Sequence, residues 1–499
     1  MINKLRDERF IKKVLLVFLA IQPFLDCYLL YTDNVINLFH FSPTTIIRFL
    51  IVGFLFLLIF LNKNIAGNRK PIIIYGGIVF VYIILHHFTV YNYNLDAFPT
   101  FVYSLVAEVF YFLRMLLPII VIYITYKLKF TKEEVINLFL FVTFVVASVV
   151  VVMNLLNISL TSYGGNNKIQ GNLFSWFMSD RPGSRLLASK GWFNSANQIS
   201  GLFALLLPIL MYAILEKFNY KRVITLILCL LSMLMLGTRV STIGWILIFS
   251  AMMVAYLFFS LVLKHFKFQK INFFGTLLIG IVCGVLFVFS PLVNTASAVD
   301  QAALDAYLKE KEIDFESMTV EEYLPFLAIH EEYYNILYPY GEHKEFWDYV
   351  AKDVPYYKRG GNRNAQTLIT QDINKEFATA ISPVLGLGYS RFENAKIYME
   401  KDFAVHYYTI GIVGILLFLA PYIVILIYKF YQMVFVDRKL FNFYNITLMG
   451  ALLLPLAVSV VSGHVLDELI VSLYMSFIAG YILYTITPKK EKDKNISTT

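Results

Sequence analysis

The sequence predicts an all-α polytopic membrane protein of about twelve transmembrane helices carrying a partly helical external cap. Three observations predict it. The chain of 499 residues is 58% hydrophobic and only 15% charged, with a mean hydropathy of +0.66, far more apolar than a soluble protein of this size. Apolar runs of about 17 to 25 residues, the length that crosses a bilayer as a helix, recur from end to end. Lys and Arg punctuate these runs on every second connection, the pattern of a topology signal.

Taken in order, the spans lie near Ile11–Leu30, Thr44–Leu61, Ile72–Val90, Leu105–Tyr126, Val135–Leu156, Gln198–Leu215, Val223–Leu236, Ser241–Leu263, Ile271–Ser290, Val405–Tyr428, Tyr444–Ser462 and Leu466–Ile486. Residues 1–290 thus hold nine spans with an external loop at 157–197, residues 291–404 form a large extracytoplasmic cap, residues 405–487 hold three more spans, and 488–499 are a polar tail. The first run follows Lys4, Arg6, Arg9, Lys12 and Lys13 but ends in Gln22-Pro-Phe-Leu-Asp26 without a small-residue cleavage site, so it reads as an uncleaved span.

Basic residues collect on one side, at Lys63/Arg69/Lys70, Lys127/Lys129/Lys132, Lys217/Lys221/Arg222, Lys264/Lys267/Lys270, Lys429/Arg438/Lys439 and the tail from Lys489. The opposite connections 31–43, 91–100 and 463–465 have none. Both termini are therefore expected in the cytoplasm, with the cap outside. The net charge of +8 is spread over these connections rather than clustered on a face, which excludes a nucleic-acid binder. Cys27, Cys229 and Cys283 lie in apolar runs without metal-ligand spacing, so neither a disulfide framework nor a zinc site is expected.

The cap carries 19 Asp/Glu against 11 Lys/Arg, a net-acidic domain. Its aromatic residues Tyr333, Tyr334, Tyr338, Tyr340, Trp347, Tyr349, Tyr356 and Tyr357 suit two roles, building a small core and stacking on sugar rings.

An ionisable group within a span is costly, about 2.5 to 3.5 kcal/mol at the helix centre for Arg or Asp, and so marks a candidate site. Arg114 is expected about 14 Å deep, from a rise of ~1.5 Å per residue. Glu108 on the same helix is six residues away and cannot share its face. Arg48, Arg239 and Asp26 lie near the outer ends of their spans; helix-to-helix ion pairing is the structural alternative for Arg48, Asp26 and Glu108. Guanidinium binds phosphate oxygens bidentately at any relevant pH, so Arg114, Arg239 and Arg48, with Arg185 from the external loop, form a candidate diphosphate set. Arg181 and Lys190 lie in the same loop, and Arg359 and Arg363 stand in a glycine-rich turn of the cap. The block Gly191-Trp192-Phe-Asn194-Ser195-Ala-Asn197-Gln enters a span; Asn194, Ser195 or Asn197 can cap that helix, and Trp192, Asn194 and Asn197 can meet a glycan.

At the exit of the cap, Glu400, Asp402 and His406 lie within seven residues. A sugar hydroxyl that attacks as a nucleophile needs a base within about 3 Å, and a carboxylate or imidazole is the usual supplier. A helix beginning at Glu400 would put Asp402 and His406 on one face. The alternative is that Glu400 and Asp402 only cap the helix. Asp467 and Glu468 beside His464 form a second acidic group near a span end.

Gly191-Trp-Phe-Asn-Ser-Ala-Asn-Gln, Leu236-Gly-Thr-Arg239, Gly386-Leu-Gly-Tyr, Glu400-Lys-Asp-Phe followed by Gly411-Ile-Val-Gly414, and Ser462-Gly-His-Val resemble, in order and spacing, the O-antigen ligase and polymerase superfamily of bacterial polysaccharide assembly. The resemblance covers most of the membrane part, not the body of the cap. It implies a C-type glycosyltransferase fold acting, without metal or other cofactor, on polyprenyl-diphosphate-linked glycan at the outer face of the cytoplasmic membrane. It also implies work alongside other polysaccharide-assembly membrane proteins. In the ligase branch a His lies about a dozen residues before the glycine pair; here that register falls near Glu400, and His406 is closer. The sequence is more similar to Gram-positive-type exopolysaccharide and teichuronic-type polymerases, so a polymerase is expected first and a ligase second. A lipid-linked oligosaccharide flippase, the reading from another class, fits only Arg114, since transporters place charge at the midplane between related halves and need no one-sided cap.

Overall fold

The computed structural model describes residues 7–32, 34–35, 42–93, 101–163, 167–178, 182–293, 318–327, 329–355, 362–377, 379–397, 399 and 401–486. Among these residues there is no β-strand beyond three isolated bridges, and ten helices are long and apolar enough to cross a membrane. The two other expected spans are shorter. One is Glu8–Ile21, 14 residues; the other is Tyr220–Leu236, 17 residues. Pro23 explains the first: it cannot continue the α-helix, and the chain goes on as 3-10 turns over Gln22–Asp26 and Tyr28–Tyr31. Gly237 explains the second, ending its helix in the left-handed conformation at φ 64°. The last span begins at Leu469, three residues later than its apolar run. Residues 462–468 are an irregular connection, and His464 in it adopts φ 64°.

The chain forms two compact units. The first comprises residues 1–73, 114–295 and 421–499. Its centre is Ala196–Glu216, whose membrane window is 100% buried; it is apolar all round, as a helix enclosed by other helices must be. Around it pack Lys132–Leu155, Tyr220–Leu236, Gly244–Leu257 and Phe443–Val461.

The irregular backbone after the first helix needs polar partners at membrane depth. Arg48, 1% exposed, supplies them: it donates to the Gln22 carbonyl at 3.1 Å and to Gln22 Oε1 at 2.9 Å, and forms an ion pair with Asp26, also 1% exposed. Gln22 in turn donates to the Ile470 carbonyl at 3.0 Å.

The second unit comprises residues 74–113 and 296–420. The cap core is aromatic: Tyr333, Tyr334, Tyr338, Phe346 and Trp347 are buried with Val350, Ile369 and Ile373, and Trp347 donates to the Tyr338 carbonyl at 2.8 Å. These side chains build the core, whereas Tyr349 is 45% exposed.

The return from the cap rests on two glycines. A continuous stretch from Asp402 to Val436 has 35 residues, about 52 Å of helix against a hydrocarbon core of roughly 30 Å. It is broken at Gly411, φ 66° and ψ −178°. The carbonyls freed by the break, Tyr408 and Thr409, accept from Leu387 N–H at 2.7 Å and Gly388 N–H at 3.0 Å, and the Ile410 carbonyl accepts from Tyr82 at 2.6 Å. The two backbones meet so closely that a Cβ on Gly386 would lie 2.3 Å from the Thr409 oxygen and one on Gly411 2.4 Å from the Val384 oxygen. This crossing accounts for Gly386 and Gly411; Gly388 instead packs against Val90 and Glu108, and Gly414 against Ile410 and Tyr82.

Candidate active site

In the first unit the described part of the 157–197 loop folds as a clip. Tyr28 N–H donates to the Trp192 carbonyl at 2.8 Å and Asn194 N–H to the Asp26 carbonyl at 2.8 Å. Lys190, buried, donates to the Asn194 carbonyl at 2.8 Å, and burial holds its ammonium below the usual lysine range. Gly191, at φ 67°, packs on the Val150 backbone. Ser195 occupies the N-cap of Ala196–Glu216, but its side chain makes no capping bond. Neither Asn194, which lies before the cap, nor Asn197, already inside the helix, takes that position. Trp192 is 41% exposed, its indole donating to the Ile158 carbonyl, and Asn197 is half-buried.

The turn Gly237-Thr238-Arg239 is fixed from three sides. Tyr163 donates to the Gly237 carbonyl at 2.8 Å. The Thr238 hydroxyl caps the following turn through Ser241 N–H at 3.2 Å and lies 2.7 Å from Ser200 Oγ. Arg239 stands exposed at its head. The ring of Tyr163 lies under the exposed guanidinium of Arg185, 5.9 Å from its centroid. One tyrosine thus touches both the Arg185 segment and the Arg239 turn.

The next residue of the same helix, Gly201, faces the other candidate group: a Cβ there would lie 3.2 Å from Val465. In that connection His464 Nδ1 is 3.8 Å from Glu468 Oε1, and Glu468 Oε2 is 3.1 Å from Arg114. These groups remain partly open, with side-chain exposures of 40% for His464, 18% for Glu468 and 25% for Arg114. Consecutive residues Ser200 and Gly201 therefore contact the Arg239 turn and the His464–Glu468 connection, from directions about 100° apart around the helix axis. Burial pushes the Glu468 carboxyl above its usual range; Arg114 and His464 oppose the rise, while Asp467 and Asp26 add to it. His464, Asp467 and Glu468 can also offer three ligand atoms within 4.8 Å of one another, a set the sequence reading did not single out for metal. Arg114 already brings positive charge to Glu468.

Arg48 pairs with Asp26, whose charge also reaches Glu468. Its guanidinium is enclosed and bonded to Asp26 and Gln22. Arg48 and Asp26 form an ion pair between neighbouring segments, the structural role expected for them.

The second unit holds the residues expected at the cap exit. Asp402 opens the helix Asp402–Phe418 and is 1% exposed, and His406 is fully buried, its Nδ1 2.9 Å from the Tyr111 hydroxyl. The Tyr111 ring stacks on Tyr389 at 4.0 Å. An imidazole enclosed in this way cannot reach a sugar hydroxyl without rearrangement. Glu400 and Arg359 lie outside the described residues, and Arg363 falls on the helix Asn362–Phe377. Glu108 has a local role: its carboxylate accepts from Ser390 N–H and Oγ, both at 2.8 Å, and lies 3.5 Å from His86 Nε2. His86 Nδ1 is 2.7 Å from the Leu385 carbonyl, so that nitrogen carries the hydrogen.

Sequence reasoning missed Tyr163 and His86. Nothing near either in the chain marks it, because their partners come from distant segments.

No curated protein sequence matches the chain. Residues 8–489 match the model of a family described as O-antigen ligase like membrane protein, and the chain belongs to that family.

Proposed function

We propose that this protein is a glycan polymerase that joins polyprenyl-diphosphate-linked repeat units on the outer face of the cytoplasmic membrane. The observation that carries the reading is the pairing, on one helical turn at Ser200–Gly201, of an exposed arginine turn with a partly open carboxylate–imidazole group. The acceptor hydroxyl attacks the anomeric carbon of the donor, the bond from that carbon to the diphosphate oxygen breaks, and polyprenyl diphosphate leaves. Arg239 and Arg185 neutralise the diphosphate as it departs, since two guanidinium forks hold phosphate oxygens without needing a proton. Glu468, its pKa raised by burial, accepts the hydroxyl proton, with Arg114 and His464 orienting it. Trp192, Asn194 and Asn197 border the same loop and helix start and are assigned to the sugars; Arg359 and Arg363 are kept as separate glycan-binding candidates. Glu400 stays a second candidate base; Asp402 and His406 are assigned to support the cap exit.

The test is single-turnover extension of a lipid-linked glycan. Removing one oxyanion-type donor costs about a hundred- to a thousandfold in rate and removing a general base about a hundred- to ten-thousandfold, so Arg239→Ala and Glu468→Gln should fall in those ranges, with Arg239→Lys between the alanine variant and wild type. Full extension by Glu468→Gln in a folded protein returns the base to Glu400. A ligase uses the same donor and differs only in its acceptor, and the family's description favours keeping it as the second reading. A ligase would transfer the glycan once to a separate acceptor and build no ladder of products.

A further inference from the structure

We propose that the first unit carries a second binding site, for the headgroup of an anionic phospholipid, at the opposite end of its central helix from the Ser200 turn. That helix, Ala196–Glu216, has 21 residues, so its two ends stand about 30 Å apart. At the Glu216 end is a cavity of about 500 Å³. Its lining comes from the ends of several spans and their connections: Lys132 begins Lys132–Leu155, Tyr444 lies in the first turn of Phe443–Val461, and Lys267 joins Arg239–Val262 to Lys270–Val293. The cavity is thus at the depth where spans meet water, on the side that carries the basic connections.

Its chemistry suits a phosphate diester attached to acyl chains. One wall is a self-paired polar unit, with side-chain exposures of 34% for Lys132 and 40% for Glu216: Lys132 Nζ is 2.6 Å from Glu216 Oε1 and lies 5.0 and 5.1 Å from the ring centroids of Tyr212 and Tyr444, and Tyr212 donates to Glu216 at 3.0 Å. This wall is neutral as a set. The mouth is not: Lys267 and His265 line it and are exposed, and Lys264 and Lys270 flank them on the same connection. Among the described residues no carboxylate pairs with Lys267. Beside the mouth, apolar side chains stand open to the surroundings of the bundle, with Leu261 52%, Val262 66% and Ile271 76% exposed. A soluble anion would use the lysines and leave this apolar strip bare. An anionic phospholipid uses both, its phosphate at Lys267 and its chains along Leu261, Val262 and Ile271. Basic pockets between spans at a membrane face recognise lipid headgroups by this combination.

The full-length protein in nanodiscs tests the proposal, with phosphatidylcholine alone or with added phosphatidylglycerol, reading the melting temperature and the lipid retained in native mass spectrometry. Phosphatidylglycerol should raise the melting temperature and remain bound. A lysine near a charged lipid surface is worth about a fivefold change in affinity. Lys267→Gln should weaken retention about fivefold, Lys267→Glu roughly 30-fold, and Lys267→Arg should retain the lipid as wild type does. If Lys267→Glu does not fold, the Gln and Arg variants decide. Equal stabilisation by the two lipids, or undiminished retention by Lys267→Gln, overturns the proposal. So does a melting shift of the same size when inorganic phosphate is added to phosphatidylcholine discs, since that would make the site one for free phosphate. The catalytic reading is untouched by any of these outcomes.

Discussion

Replacing Gly386 by alanine tests whether the return from the cap depends on a backbone-to-backbone crossing. The new Cβ would sit 2.3 Å from the Thr409 oxygen, 2.4 Å from the Thr409 carbonyl carbon and 2.6 Å from the Ile410 nitrogen, about 1 Å or more inside ordinary contact. Every atom it meets is backbone, so no side chain can swing aside. Relief requires the crossing to open, which breaks Leu387 N–H to Tyr408 O and Gly388 N–H to Thr409 O. Two buried hydrogen bonds left unmade cost about 1 to 3 kcal/mol each, and a left-handed φ of 84° adds about 1 kcal/mol for a residue with a side chain. The sum, roughly 3 to 7 kcal/mol, is comparable to the stability of a whole domain. Hydrogen exchange should therefore accelerate at Leu387 and Gly388 by two or more orders of magnitude. Gly76→Ala is the control, since a Cβ there meets nothing within 4 Å. Exchange in Gly386→Ala no faster than in Gly76→Ala would refute the crossing.

Three other perturbations follow. Arg48→Met strands a buried Asp26 and should cost about 3 to 5 kcal/mol in thermal stability, whereas Arg48→Met/Asp26→Leu should recover most of it and retain glycan extension; loss of extension in the well-folded double variant would return Arg48 to the substrate site. In the cap, His343 stacks on Tyr338 at 3.6 Å, and burial holds its imidazole below the ordinary histidine range despite Glu342 and Asp372. The unfolded chain then binds the proton more tightly, so this contribution is complete above about pH 6.5 and is lost progressively as pH falls from there through the lower folded-state value. Hydrogen exchange at Tyr338 and Trp347 should quicken between pH 7 and 5.5 in wild type and change less in His343→Phe; an equal change in both would contradict it. A single cysteine at Lys344 in a background lacking the three native cysteines should react with an impermeant thiol reagent in intact cells and one at Lys264 should not, the reverse pattern inverting the topology.

The spans were legible because apolar run length is a local property, and the two short helices differ only where Pro23 and Gly237 act. The cap core was legible as an aromatic cluster but not as a fold, since Tyr338 and Trp347 meet through a backbone carbonyl that no periodicity marks. The arginines were legible as costly or exposed cations; their fates were not. Arg48 and Arg114 look alike in sequence, and only tertiary placement gives one an enclosed Asp26 and the other a half-open Glu468. The same holds at the cap exit: Asp402 and His406 have the chemistry of a base, and their burial, with the imidazole against Tyr111, comes from segments far away in the chain. His464 and Glu468, four residues apart in an irregular connection, remain open.

Reconstitution decides whether the protein polymerises lipid-linked repeats. Purified protein in liposomes, supplied with a polyprenyl-diphosphate-linked repeat unit and no other protein, should yield a ladder of lengthened glycans with release of one polyprenyl diphosphate per bond formed. Arg239→Ala should suppress both together. Movement of the lipid-linked unit from one leaflet to the other without any lengthening or diphosphate release would contradict the account and make the protein a transporter.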